Sequence, residues 1–244
     1  MEKGLINNIY IFIGVCGVGK THTIFGIAKV LSEAGKNVLV IDYTKEQGAY
    51  TQFIYNNELE NSESELKINI RSNIDFISFN PNEKEKYTDF YQMVEKLMID
   101  YEKYDAVLIE ADNIFNIDYF RNSKIFIVQN YDKSNLFRNM KYVDELTKND
   151  VNEMHFILNQ VIGCKFKKSY FYDEVAKINK ALLIDGDKRE VEIPYDEIDY
   201  IAALNNRATG KIDLKDYSNT FKEAIFELAN LILPLEYKSY KKLM

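Results

Sequence analysis

One octapeptide constrains this chain more than any other part of it. Gly14-Val15-Cys16-Gly17-Val18-Gly19-Lys20-Thr21 fits the pattern G-x-x-x-x-G-K-[ST]. An apolar run, residues 8–15, leads into it, and a helical period, residues 20–34, leads out. Glycines let a backbone curl until successive N–H groups point at one anion. The helix that follows adds the positive end of its dipole. In such a loop Lys20 bridges the outer phosphates of a nucleotide and Thr21 offers its hydroxyl to Mg²⁺. Gly14, Gly17, Val18, Gly19, Lys20 and Thr21 are thus candidate phosphate-binding residues. His22 follows; it either reaches an α-phosphate or sits as a partly exposed helix residue.

The rest of the chain alternates in the same way. Apolar runs at 8–15, 37–42, 74–79, 105–110, 124–129 and 153–159 read as buried strands. Helical periods fall at 20–34, 83–104, 134–148, 171–180, 195–205 and 217–233. In the second of these Tyr87, Phe90, Tyr91, Val94, Leu97, Met98 and Tyr101 keep helical spacing. Apolar strands separated by helices predict an α/β fold: a mostly parallel twisted sheet with helices on both faces. With no repeat and no Gly/Ser/Pro linker, residues 1–233 read as one domain and 234–244 as a short basic tail. The stretch 44–72, with Glu58, Glu60, Glu63 and Glu65, reads either as a functional loop or as a short extra helix and a solvated turn.

Two strands end in acids, Asp42 and Glu110. In a parallel sheet ligands bind beyond the carboxyl ends of the strands, so both could face bound phosphates, one near a metal and one near an attacking water. The less favoured alternative for each is an acid that caps a helix or loop.

Composition narrows the remaining classes. The 244 residues include 46% apolar ones, with 15 Phe and 18 Tyr, enough for a core without disulfides. The two cysteines, Cys16 and Cys164, and two histidines, His22 and His155, are too scattered for a transition-metal site. Cys16 reads first as a small packing residue. A net charge of −7 argues against non-specific binding of nucleic acid, although Lys165-Phe166-Lys167-Lys168 with Tyr170 mixes basic and aromatic residues. A solvated loop is the plainer reading there. Residues 9–19 are about half the ~20 residues of a membrane span, and no cationic leader precedes them. A cytoplasmic location is expected. The last helix, with Phe221, Ile225, Leu228 and Ile232 on one face, packs on the sheet in the plainer reading and lies on a membrane in the other.

In its ordered motifs the chain resembles the MinD/ParA-type P-loop ATPases. The matching places are the strand–loop–helix at 10–34, Val40-Ile41-Asp42-Tyr43-Thr44-Lys45-Glu46-Gln47-Gly48, and Tyr104-Asp105-Ala106-Val107-Leu108-Ile109-Glu110. Phe156-Ile157-Leu158-Asn159 and Ile193-Pro194-Tyr195 complete the series. The resemblance implies ATP/ADP and Mg²⁺ as ligands, with Lys20 on the phosphates and Thr21, Asp42 and Glu110 about the metal. It implies that Asp42 orients the attacking water and that Asn159 and Pro194 contact the adenine. It implies a nucleotide-dependent homodimer, a protein partner or cargo, and membrane association, if any, through that partner.

Three departures bear on this expectation. The family's signature lysine, which reaches into the partner subunit, aligns with Val15; the usual aspartate is Glu110; and Thr44 stands where a second acid is usual. They point to slow hydrolysis and to an atypical, TadZ-like member that positions assemblies such as pilus or secretion machinery. The alternatives are a nucleotide-bound structural adaptor that does not turn over, and a small-molecule ligase or kinase on the same scaffold. Lys45 is a candidate to replace the missing lysine by proximity alone.

Overall fold

The computed structural model describes residues 8–53, 65–71, 73–79, 90, 93–94, 99–151, 153–183, 190–236 and 238. Its elements in chain order are β1 (Ile9–Ile13), α1 (Lys20–Glu33), β2 (Val38–Tyr43), α2 (Gly48–Phe53), β3 (Glu65–Arg71), β4 (Ile74–Phe79) and β5 (Ala106–Ala111). Then follow α3 (Ile117–Arg121), β6 (Lys124–Asn130), α4 (Lys133–Lys148), β7 (Met154–Val161), α5 (Lys168–Ile178), β8 (Glu190–Pro194), α6 (Glu197–Thr209) and α7 (Asn219–Ile232).

The strands form one sheet in the order β3-β4-β2-β5-β1-β6-β7-β8. All pairings are parallel except that of β3 with β4. The expected α/β architecture is therefore present, with an antiparallel strand added at one edge. β1 lies between β5 and β6, so the chain enters the phosphate loop from the middle of the sheet.

Period-two alternation explains why the strands are apolar throughout. Tyr10 and Phe12 of β1 join the core on one face, while Ile9, Ile11 and Ile13 join the core on the other. The first core takes Ile24, Ile27 and Leu31 of α1 with Phe221, Ile225 and Leu228 of α7. The second takes Leu136, Met140 and Val143 of α4 with Phe171 and Val175 of α5. Phe12 and Phe126 stack across β1 and β6 with ring centroids 4.7 Å apart. Each buried side chain of this size stabilises the fold by about 1.5–3 kcal/mol relative to exposure. The last helix packs inward: Phe221, Ile225, Leu228 and Ile232 are all buried. Among the described residues no helix is long and apolar enough to cross a membrane.

The helix expected at 83–104 does not run to Tyr104. Asp100 accepts from the Glu102 N–H and opens a separate 3-10 turn, Tyr101–Lys103, after which Tyr104 is extended. Phe90, Met93 and Val94 are helical; Tyr87, Tyr91, Leu97 and Met98 lie outside the described residues. The stretch 44–72 contains α2 and β3, while Glu58, Glu60 and Glu63 lie outside the described residues. β8 is an edge strand that the apolar-run criterion passes over. Val191 and Ile193 point into the core, and Glu190 and Glu192, which alternate with them, ion-pair with Lys168. That pairing takes one cation out of the basic 165–168 segment.

Candidate functional site

The carboxyl ends of β1, β2 and β5 and the amino end of α1 meet at one place. The loop between β1 and α1 needs its glycines for distinct reasons. A side chain on Gly14 would put its Cβ 2.6 Å from the Val128 carbonyl oxygen. Gly19 adopts φ +91°, and a Cβ there would lie 1.9 Å from Nδ2 of Asn159. Gly17 also has positive φ, with open space around it. Cys16 and Gly17 form the exposed tip, so Cys16 is not the packing residue expected from the sequence.

Lys20 is folded back into this loop. Its ammonium donates to the carbonyls of Gly14 (2.7 Å) and Val15 (3.1 Å) and lies 4.0 Å from Glu110 Oε1. The Thr21 hydroxyl donates to the same Glu110 oxygen at 2.9 Å. Asp42 and Glu110 are register partners on β2 and β5, which sets two buried carboxylates side by side. Asp42 accepts from the Thr44 N–H and hydroxyl through one oxygen and from the Ala49 N–H through the other. Gln47, at φ +46°, locks this turn by donating to the carbonyls of Asp42 and Thr44.

Electrostatics make this an acid pair short of positive charge. Burial, then the neighbouring Asp42 charge, pushes the Glu110 carboxyl up to about 8, against the pull of Lys20 and of the Thr21 hydroxyl. Burial also raises Asp42, against its hydrogen bonds from Thr44 and Ala49 and the charge of Lys20. Hydroxyl and carboxylate oxygens are the donors a hard divalent cation such as Mg²⁺ prefers, and a second cation beside Lys20 would favour the ionised form of both acids. The residues present therefore fit that ion.

A cavity of about 580 Å³ opens above the loop, lined among others by Lys20, Thr21, Glu110, Asp112, Arg207 and Tyr217. That is the size of a site for a nucleotide-sized ligand. A smaller adjoining cavity is lined by Asn159, Pro194, Tyr195 and Arg207. Asn159 is 4% exposed; its amide donates to the Val18 carbonyl at 2.8 Å and accepts from the Gln160 N–H. His22 packs against the rings of Tyr217 and Phe221, and burial, then the charge of Arg207, lowers it to about 4, so it is neutral at pH 7. Lys45 is exposed, with its N–H on Asp112.

Several contributors escape a sequence reading. Asn139, fully buried on α4, accepts from the Val15 N–H and donates to the Val128 carbonyl and to Gln129. Its signal was a lone amide at an inward position between Leu136 and Val143. Replacing Asn139 with alanine is expected to cost about 1–3 kcal/mol, because a buried N–H and carbonyl lose their partner. Denaturant unfolding of the variant checks this; wild-type stability would mean the amide does not hold the loop. Tyr200, Ala203 and Arg207 reach the cavity from α6 at helical spacing, and no local pattern announces them. Val15, at the signature-lysine position, is buried in the core.

No family model and no curated protein matches the sequence. Solved structures do match in fold. A ParA family ATPase from Chlorobium tepidum superposes with a TM-score of 0.63 at 14% identity, over 91% of this chain and 97% of that one. MinD, the septum site-determining protein of Pyrococcus horikoshii complexed with Mg-ADP, gives 0.63 at 17% identity, over 93% and 96%. A chain of the MinC:MinD cell division protein complex of Aquifex aeolicus gives 0.59 at 16% identity, over 94% and 97%. The chain has the fold of these ATPases.

Proposed function

We propose that this chain is an ATP-binding, Mg²⁺-dependent, slowly hydrolysing switch of the MinD/ParA type that positions or partitions a cellular cargo or assembly. One observation carries the proposal: Lys20, Thr21 and Glu110 line a nucleotide-sized cavity above a glycine loop, with the buried Asp42 beside Glu110 as its register partner. The fold likeness to a MinD complexed with Mg-ADP supports it.

In this reading the loop N–H groups and the α1 amino end cradle the phosphates, and Lys20 turns from the Gly14 and Val15 carbonyls to the outer ones. Thr21 and the two carboxylates hold the cation, directly or through water. Mg²⁺, when bound, supplies positive charge to the phosphates. Asp42, oriented by Thr44 and Ala49, holds the attacking water. Pro194 and Asn159 border the smaller cavity, which takes the base. The resemblance to the family extends the proposal to a nucleotide-dependent homodimer and a protein partner. Val15 favours an atypical, TadZ-like subtype, since a buried valine delivers no charge to another subunit. The same residue favours the second reading, a nucleotide-bound adaptor that does not turn over.

Titration with a fluorescent ATP analogue tests the first step. The wild type is expected to bind with Mg²⁺ and to lose affinity in EDTA; Thr21→Ala is expected to weaken binding about tenfold, some 1.4 kcal/mol. Absence of Mg²⁺-dependent binding by the wild type would overturn the proposal. Phosphate release that Asp42→Ala abolishes favours the switch; release no faster in the wild type than in that variant favours the adaptor.

A further inference from the structure

Asp42 ends β2 between two neighbouring strands. On the β5 side its register partner is Glu110; on the β4 side Ile41 pairs with Ile77, so Ser78 stands at the level of Asp42. Ser78 is fully buried on β4, a hydroxyl two residues beyond Phe76 on the same apolar face of the sheet. It donates to Oε1 of Gln47 at 2.7 Å. Gln47 Nε2 donates in turn to the carbonyls of Asp42 (2.8 Å) and Thr44 (2.7 Å). Two carbonyls need a donor, so they fix which end of the carboxamide carries the NH₂ group, and its oxygen is left facing Ser78.

Gln47 holds a strained backbone. It is 1% exposed and not a glycine, yet its φ is +46°, a left-handed conformation that persists only where the surroundings over-determine it. The three hydrogen bonds of the carboxamide supply that constraint. On either side of Gln47 the chain serves Asp42. Thr44, before it, gives its N–H and hydroxyl to Oδ1 at 3.0 and 2.6 Å; Ala49, after it, gives its N–H to Oδ2 at 3.2 Å. A Gln47 that left the left-handed region would redirect the chain between Thr44 and Ala49, and the two oxygens could not keep both sets of donors. We propose that Ser78 is a positioning residue: through the Gln47 carboxamide it holds the turn that orients the Asp42 carboxylate. This rests on the reading in which Asp42 holds the attacking water, and adds to it a buried residue outside both cavities.

Three measurements on the full chain test it: phosphate release in a single turnover, calorimetric affinity for Mg²⁺–ADP, and hydrogen exchange of the Gln47 side-chain amide by NMR. In Ser78→Ala the Gln47 oxygen loses its donor. Release is expected to slow about tenfold and amide exchange to quicken at least about tenfold. Affinity is expected to change less than about threefold, because Lys20, Thr21 and Glu110 keep their places. Ser78→Thr, which keeps a hydroxyl, is expected to recover both rates. Gln47→Met breaks the same contact from its other end, so it is expected to slow release alike, and the double variant to slow it no further than either single change. Equal loss of rate and affinity, additive losses in the double variant, or an unchanged release rate in a folded Ser78→Ala chain would overturn the proposal. Should Ser78→Ala fail to fold, a Gln47→Met chain that releases phosphate at the wild-type rate overturns it instead. A wild type that releases no phosphate would remove the hydrolysing switch and leave the exchange to decide: quicker exchange in Ser78→Ala supports the positioning role, and unchanged exchange overturns it.

Discussion

Changing Glu110 to glutamine is expected to flatten the pH dependence of stability of the metal-free protein and to raise its stability at pH 8.5. In the unfolded chain this carboxyl ionises near 4.5; in the folded chain burial and Asp42 push it up to about 8. Between those values the native state keeps a proton that the unfolded state has released. The contribution is therefore complete below pH 4.5, declines as pH rises, and is lost above about 8. The group is buried, so the interval amounts to an effect on the order of 5 kcal/mol. Glutamine keeps an oxygen for the Thr21 hydroxyl, which donates to Glu110 at 2.9 Å, and carries no charge to desolvate. Chemical denaturation in EDTA at pH 5 and pH 8.5 measures both proteins. The wild type is expected to lose most of the effect between the two, and the variant only the part due to Asp42, which burial shifts in the same direction. An equal loss in both would mean that Glu110 is already ionised near pH 5 and that the site tolerates the negative pair without a metal.

What the sequence made legible and what it hid divide along physical lines. The loop and its flanking elements are contiguous, so a glycine pattern, a period-two run and a helical period identify them within about 25 residues of chain. Asp42 and Glu110 were visible as strand-terminal acids, and the parallel sheet made neighbours of them. β3 and β8 were hidden because edge strands lack a continuous apolar run; β8 alternates glutamates with its core residues and pairs them with a lysine on α5. Asn139 and Arg207 were hidden because their partners are remote in sequence, and the Asn139–Val15 hydrogen bond spans 124 residues. The missing lysine was visible at Val15, but its burial was not. An alignment position predicts which charge is absent; packing determines what the substitute does instead.

Lys20 joins the two halves of the site, and its replacement by methionine is expected to have the largest effect on ligand binding. Lys20 is 4% exposed, its ammonium held by two loop carbonyls and 4.0 Å from Glu110. Its charge lowers the proton affinity of both Asp42 and Glu110. Methionine fills similar volume and removes that charge, so both acids hold their protons to higher pH. In the proposed switch the phosphates lose their bridging cation at the same time as the carboxylates lose their affinity for Mg²⁺. The two losses act on one ligand, and binding of Mg²⁺–ADP is expected to weaken at least about a hundredfold, or 2.8 kcal/mol. A Lys20→Met, Glu110→Gln double variant separates the contributions: the second change relieves the uncompensated buried acid and recovers stability, but it restores no phosphate contact. Calorimetric titration with Mg²⁺–ADP and denaturant unfolding, run on the same samples, read the two effects independently. Recovery of stability without recovery of affinity is the expected pattern. Wild-type affinity in a folded Lys20→Met chain would show that this lysine stabilises the loop and does not bind the nucleotide.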